Sequence, residues 1–216
     1  VPKEDYEFLT LLSTLGPVVG EIRAADLQEQ GVLASCEVNV LQLKDDHVEF
    51  RSWQEEYEYL TSDKARLDYI ADTCANISLS GNTLILVERI ECGKYLAEKI
   101  PDAVFISGAV KTKDRKKEYK EVQSADGKVI IATYGVAAVG INIPRIFNLV
   151  LIEAGKSFVR VIQSIGRGIR KAQDKEHVNI YDICSSLKFS ARHLTKRKAF
   201  FKEADYPSQV TKVQYR

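Results

Sequence analysis

The chain has 216 residues, 45% of them hydrophobic, with 12 glycines, 5 prolines and a formal net charge of +1. That is enough apolar matter for one sizeable core, and it argues against a collagen-like, disordered or low-complexity chain. No apolar run approaches the roughly 20 residues of a membrane span, and the charged start Val1-Pro2-Lys3-Glu4-Asp5 lacks the apolar stretch of a signal peptide.

The absence of methionine, even at position 1, suggests a piece of a longer protein. Cys36, Cys74, Cys92 and Cys184 are scattered, with no C-x-x-C pair, so buried reduced thiols are expected rather than a zinc site. Charge is uneven. Residues 156–216 hold 14 Lys/Arg against 5 Asp/Glu, while residues 1–155 hold 17 against 25. A basic C-terminal third suits a polyanionic partner, and equally a solvated basic helix.

In chain order, residues 6–43 begin with helix-like apolar spacing and end in an alternating run over 37–43, the pattern of a half-buried strand. We read residues 1–43 as the tail of a preceding domain and the polar, acidic stretch 44–63 as a linker. From 64 onward a regular rhythm begins. Helices are expected over 64–79, 91–100, 112–123 and 157–170. Strands are expected over 83–87, 103–106, 129–132, 147–152 and 178–183. Continuous β-branched runs alternating with helices predict a three-layer α/β domain over 64–187, a parallel sheet with helices on both faces. The remainder, 188–216, reads as a basic helical extension. Its Lys188, Arg192, Lys196, Arg197, Lys198 and Lys202 could reach a nucleic acid or simply face solvent.

Ligands of such sheets bind beyond the carboxyl ends of the strands. That rule selects Glu88-Arg89, Ser107-Gly108, Thr133-Tyr134 and Glu153–Lys156. Two stretches carry more specific chemistry. In Gln163-Ser164-Ile165-Gly166-Arg167-Gly168-Ile169-Arg170, two arginines three residues apart share one helix face, and their planar donor forks match phosphate oxygens. In Val129-Ile130-Ile131-Ala132-Thr133-Tyr134 and on to Gly140-Ile141-Asn142-Ile143-Pro144, a hydroxyl follows a buried strand, where it can bond a backbone phosphate or cap a helix.

These two stretches resemble the sixth and fifth motifs of the superfamily 2 helicases, Q-x-x-G-R-x-x-R and Ala-Thr followed by Gly-Ile-Asp/Asn-x-Pro. Leu84-Ile85-Leu86-Val87-Glu88-Arg89 resembles the fourth, and Phe105-Ile106-Ser107-Gly108 with Arg115 the segment after it. The lead-in from Leu15 to Leu33 and the short Gly-Arg-Gly-Ile-Arg motif are most similar to the phage UvsW-type branch-migration helicases of the XPB-like branch. The resemblance implies a RecA-like second motor domain of an ATP-dependent DNA helicase or translocase. Within it, Arg167 and Arg170 act as arginine fingers, Gln163 orients the phosphate or the attacking water, and Gly140 and Asn142 face the nucleotide. Asn142 stands where aspartate is commoner. Thr133, Arg89, Ser107 and Gly108 are expected to grip the nucleic-acid backbone, with Lys111 beside them.

No G-x-x-x-x-G-K-[ST] loop and no acidic pair for magnesium are present. Gly93-Lys94 lacks the loop's other residues. ATP and Mg²⁺ are therefore expected to be held mainly by a first motor domain of the same polypeptide. DNA, branched or single-stranded, is the expected partner, with recombination and repair the expected setting. The expected location is the cytoplasm, that of the host if the chain is phage-encoded. Two other readings stay open: a double-strand translocase that does not unwind, and a stand-alone nucleic-acid-binding module.

Overall fold

The computed structural model describes residues 35–45, 48–108, 126–138, 145–155 and 177–216, together with Ser13. Among these residues seven strands form one sheet: β1 (Ser35–Leu43), β2 (Thr83–Val87), β3 (Val104–Ile106), β4 (Val129–Thr133), β5 (Asn148–Ile152), β6 (His177–Ser185) and β7 (Ser208–Val213). All pairings are parallel, in the order β3-β4-β2-β5-β6-β1-β7.

The strand interiors are apolar on both sides because both faces are covered. Side chains alternate between faces with a period of two. Leu84, Leu86, Ile130, Ala132, Leu149 and Leu151 enter one core, while Ile85, Val87, Val129, Ile131, Val150 and Ile152 enter the other. Helices α2 (Lys64–Ser78) and α3 (Ile90–Lys99) close the second face. Leu67, Ile70, Ala71 and Cys74 of α2, spaced i, i+3, i+4, i+7, form the stripe that does so. The short α4 (Tyr134–Ala138) and α5 (Lys188–Glu203) close the first, α5 through Leu194 and Phe201. Gly93 lets α3 lie close to β3: a Cβ there would sit 2.2 Å from Phe105 Cε2.

Three segments carry structure that the sequence signals only in part. The alternating run 37–43 is a strand, as its pattern requires, and it belongs to this same sheet. It lies between β6 and β7, with Ser35 opposite His177 and Leu43 opposite Ser185. Alternation establishes a half-buried strand but not its partner, and this partner lies 142 residues downstream. The expected linker 44–63 contains α1 (Trp53–Ser62). Its buried face is Glu56, Tyr57, Leu60 and Thr61, half of it polar, so no apolar stripe advertises it. The expected helical extension holds α5 and also β7, a sheet edge with no buried residue and only two separated valines, so no apolar run marks it.

Candidate nucleic-acid interface at the strand carboxyl ends

The two ends of the sheet differ in chemistry. At the amino ends, side-chain amides fasten loops: Asn82 Oδ1 accepts from the Lys128 N–H at 2.8 Å, and Asn148 Nδ2 donates to Ser80 Oγ at 2.9 Å. At the carboxyl ends, hydroxyl and charged groups gather. Strands β3, β4 and β2 are neighbours there. Thr133 is opposite Val87, and Ile106 is opposite Ala132, so Ser107 extends the same row. With strands about 4.8 Å apart, Ser107, Thr133 and the Val87-Glu88-Arg89 exit occupy one short ledge.

On this ledge Thr133 is half-buried, and its Oγ1 accepts from the Val136 N–H at 3.4 Å, a long helix cap. The cap uses only the oxygen, as acceptor, so a hydroxyl can cap and still donate its hydrogen to a phosphate. Ser107 is buried, and Gly108 is exposed with open space where a Cβ would stand. Arg89 is the N-cap position of α3, whose first turn has no side-chain cap. Its guanidinium lies 5.8 Å from the Tyr57 ring centroid and 3.9 Å from Glu58, with 44% of the side chain exposed. A surface pair of that length is worth little, so Arg89 can exchange Glu58 for a phosphate at small cost. Four of the expected backbone-gripping residues therefore stand on one edge. Lys111, Gly140, Asn142, Gln163, Arg167 and Arg170 lie outside the described residues.

Behind the ledge is a buried ionic cluster that inspection of the sequence alone does not reveal. Arg66 of α2 is fully buried. Its Nη2 donates to Glu153 Oε1 at 2.5 Å, its Nε to Asp45 Oδ1 at 3.2 Å and its Nη1 to the Leu60 carbonyl at 2.9 Å. Ser190 Oγ donates to Glu153 Oε2 at 2.6 Å, and Tyr215 donates its hydroxyl hydrogen to Asp45. Burial pushes the Glu153 carboxyl above the usual range, against the pull of Arg66 and Ser190. Glu153 also sits at φ 45°, in the left-handed region. On the other face Arg197 of α5 donates from Nε to Asp182 Oδ2 at 2.7 Å and from Nη1 to the Ala154 carbonyl. Arg197 is thus a core residue and not one of the basic side chains available to a polyanion. Lys188, Arg192, Lys196, Lys198 and Lys202 are exposed. The one signal for the cluster is Glu153 itself, a carboxylate directly after the wholly buried strand Asn148–Ile152.

A cleft of about 600 Å³ opens beside Arg89, lined by Trp53, Gln54, Tyr57, Glu88, Arg89, Gly155 and His193. Among the described residues no group of three or more His, Cys, Asp or Glu could hold a metal ion. Among them, too, no helix is long and apolar enough to cross a membrane. All four cysteines are free and buried, and burial pushes the Cys92 thiol up to about 12.

The sheet is parallel, covered on both faces and RecA-like in plan, with hydroxyl and guanidinium groups along the carboxyl edge, where ligands of such sheets bind. The family model described as the helicase conserved C-terminal domain matches residues 65–172, and the chain belongs to that family. It is 23% identical over 195 residues to the ATP-dependent DNA helicase uvsW of Enterobacteria phage T4, covering 86% of this chain and 39% of that protein. It is 30% identical over 132 residues to putative helicase 22 of a Sulfolobus islandicus filamentous virus, covering 59% of this chain and 23% of the relative. The crystal structure of T4 UvsW superposes with a TM-score of 0.73 at 21% identity, over 84% of this chain and 42% of that one. The chain thus spans well under half the length of these relatives.

Proposed function

We propose that this chain is the second motor unit of an ATP-dependent DNA helicase or translocase that acts on branched DNA in recombination and repair. The observation that carries the reading is the placement of Arg89, Ser107, Gly108 and Thr133 along one carboxyl edge in a chain of the helicase family. Their donors suit backbone phosphates, which carry no sequence information, so binding selects DNA structure rather than sequence. Lys111 would add a cation to the same grip.

ATP with Mg²⁺, when held by a neighbouring phosphate-loop unit, supplies the phosphoryl transfer that drives such motors. Toward it this chain contributes Arg167 and Arg170, whose forks stabilise charge on the transferred group. Gln163 orients the phosphate or water, and the Gly140–Asn142 corner lines the nucleotide. The twofold task of this unit is then to complete the ATP site and to hold the DNA backbone.

The test is DNA-stimulated ATP hydrolysis by a polypeptide joining this chain to its phosphate-loop unit, with a branched DNA substrate. Arg170→Ala is expected to lower turnover by on the order of 10³-fold or more, the scale of arginine fingers in other phosphotransfer enzymes, while DNA binding is retained. Unchanged turnover would favour a stand-alone nucleic-acid-binding module. Strand-displacement measurements separate unwinding from double-strand translocation.

A further inference from the structure

The cleft beside Arg89 has a built aromatic wall. Trp53 opens α1, held in place by the Ser52 cap, whose Oγ accepts from the Glu55 N–H at 3.2 Å. Its indole is half-buried and has two ring neighbours. The Tyr57 ring lies 4.9 Å away, tilted 51°, and the His193 ring meets it edge-on at 4.3 Å. Tyr57 is itself buried, so the wall is fixed before any ligand arrives. Among the described residues nothing stands within 4 Å of where a Cβ of Gly155 would lie. Gln54 and Glu88 are exposed and add an amide and a carboxylate to the lining of the cleft.

An aromatic face with hydrogen-bonding groups around it suits a planar heterocycle, and about 600 Å³ is room for one with its sugar. Among the described residues the rim has one guanidinium, Arg89, beside the Glu88 carboxylate. That pairing suits one backbone phosphate. Arg89 also belongs to the ledge with Ser107 and Thr133, so a strand held there would run past the mouth of the cleft. Bases inside a duplex are stacked and cannot enter, whereas those of a single strand can.

We propose that this cleft is a base-stacking site for single-stranded nucleic acid, with Trp53 as the stacking face and Arg89 as the contact to the adjoining phosphate. The proposal rests on the nucleic-acid reading above and adds to it a contact with a base, which the backbone grip lacks.

Trp53 is the one tryptophan of the chain, so its fluorescence reports on the cleft directly. The 216-residue chain is titrated with oligothymidylate of about 12 nucleotides, inside the usual range of single-strand site sizes. An abasic oligomer of equal length and ATP serve as the other probes, and anisotropy of labelled oligomers measures binding independently. Quenching by oligothymidylate, but not by the abasic oligomer or ATP at matched occupancy or concentration, is expected. Trp53→Ala should weaken oligothymidylate binding roughly 5- to 100-fold, the range of base–aromatic stacking, with abasic binding unchanged and Trp53→Phe close to wild type. Oligothymidylate binding without quenching would overturn the stacking site and leave the backbone grip standing. Quenching by ATP but not by the oligomer would overturn the choice of a strand as occupant. No binding of any oligomer would overturn the functional reading and the stacking site together.

Discussion

Arg66 Nη2 lies 2.5 Å from Glu153 Oε1, and neither side chain is more than 1% exposed. Their pairing ties α2 to the exit of β5, where Glu153 holds a left-handed backbone. Asp45 shares the same guanidinium at 3.2 Å. Removing the cation strands two carboxylates, whereas changing Glu153 to an amide leaves an acceptor for Arg66 and turns a donor toward Ser190 Oγ, which can accept it. Arg66→Ala is therefore expected to lose about 3–5 kcal/mol, the scale of a broken buried pair. Glu153→Gln should lose less, about 1.5–3 kcal/mol for weakened charge-assisted hydrogen bonds. Urea unfolding of both variants measures the order. If Glu153→Gln proved the more damaging, the cluster would be organised around the carboxylate and not around Arg66.

The C-terminal residue closes a second contact with a distinct pH signature. Arg216 donates to Asp63, the residue that caps α2 by accepting from the Arg66 N–H at 2.8 Å. Partial burial pushes the Asp63 carboxyl up, but the Arg66 N–H and the Arg216 guanidinium outweigh it and hold the group below its ordinary 3.8. A carboxyl lowered on folding stabilises the fold above its unfolded value, and that stability is lost as pH falls through the lower, folded one. The difference in melting temperature between wild type and Arg216→Ala should thus be present at pH 6 and shrink below about pH 3.8. A carbon-detected NMR titration of Asp63 should show its midpoint rising in the variant. A midpoint that stays put would assign the depression to the Arg66 N–H alone.

The parts of this fold legible in the sequence are those whose signal is local. Thr83-Leu84-Ile85-Leu86-Val87 and Asn148-Leu149-Val150-Leu151-Ile152 are short, β-branched and wholly apolar, and they are the strands β2 and β5. The strand-end positions of Thr133, Ser107 and Arg89 were legible because polarity begins abruptly where such a run ends. What escaped depends on partners distant in the chain. Tryptophan at 53 and histidine at 193 are unremarkable singly, and only the approach of α1 to α5 makes them one wall. Glu56 looks solvated among its acidic neighbours, yet it is 1% exposed. It accepts from the Phe189 and Ser190 N–H groups at 3.1 and 2.7 Å, capping α5 from 133 residues away. Arg197 reads as one basic residue among several until Asp182 is found beneath it.

Gly93 shows packing that composition conceals. Alanine favours a helix over glycine by about 1 kcal/mol, whereas overpacking costs about 1–3 kcal/mol. With Phe105 atoms at 2.2 and 2.8 Å from the added Cβ, the overpacking outweighs the gain. Gly93→Ala is expected to be less stable than wild type in urea, and Gly93→Ala with Phe105→Leu more stable than Gly93→Ala alone. A stabilised single variant would mean that Phe105, on the short strand beside β4, swings clear.

Thr133 and Arg89 should part company in how their loss depends on salt. Thr133→Val keeps the side-chain shape but removes the hydroxyl. The cap it makes to Val136 is long, at 3.4 Å, so the stability loss should stay under about 1 kcal/mol. A hydrogen bond to a charged phosphate is worth about 1.5–3 kcal/mol, so single-strand affinity should fall roughly tenfold or more. Threonine carries no charge and releases no counterion, so the slope of log affinity against log salt should not change. Arg89→Ala removes a cation and should lower that slope by about one. Fluorescence anisotropy across a salt series measures both. A Thr133→Val variant that binds like wild type would reduce Thr133 to a helix cap, and an unchanged slope in Arg89→Ala would take Arg89 off the phosphate path.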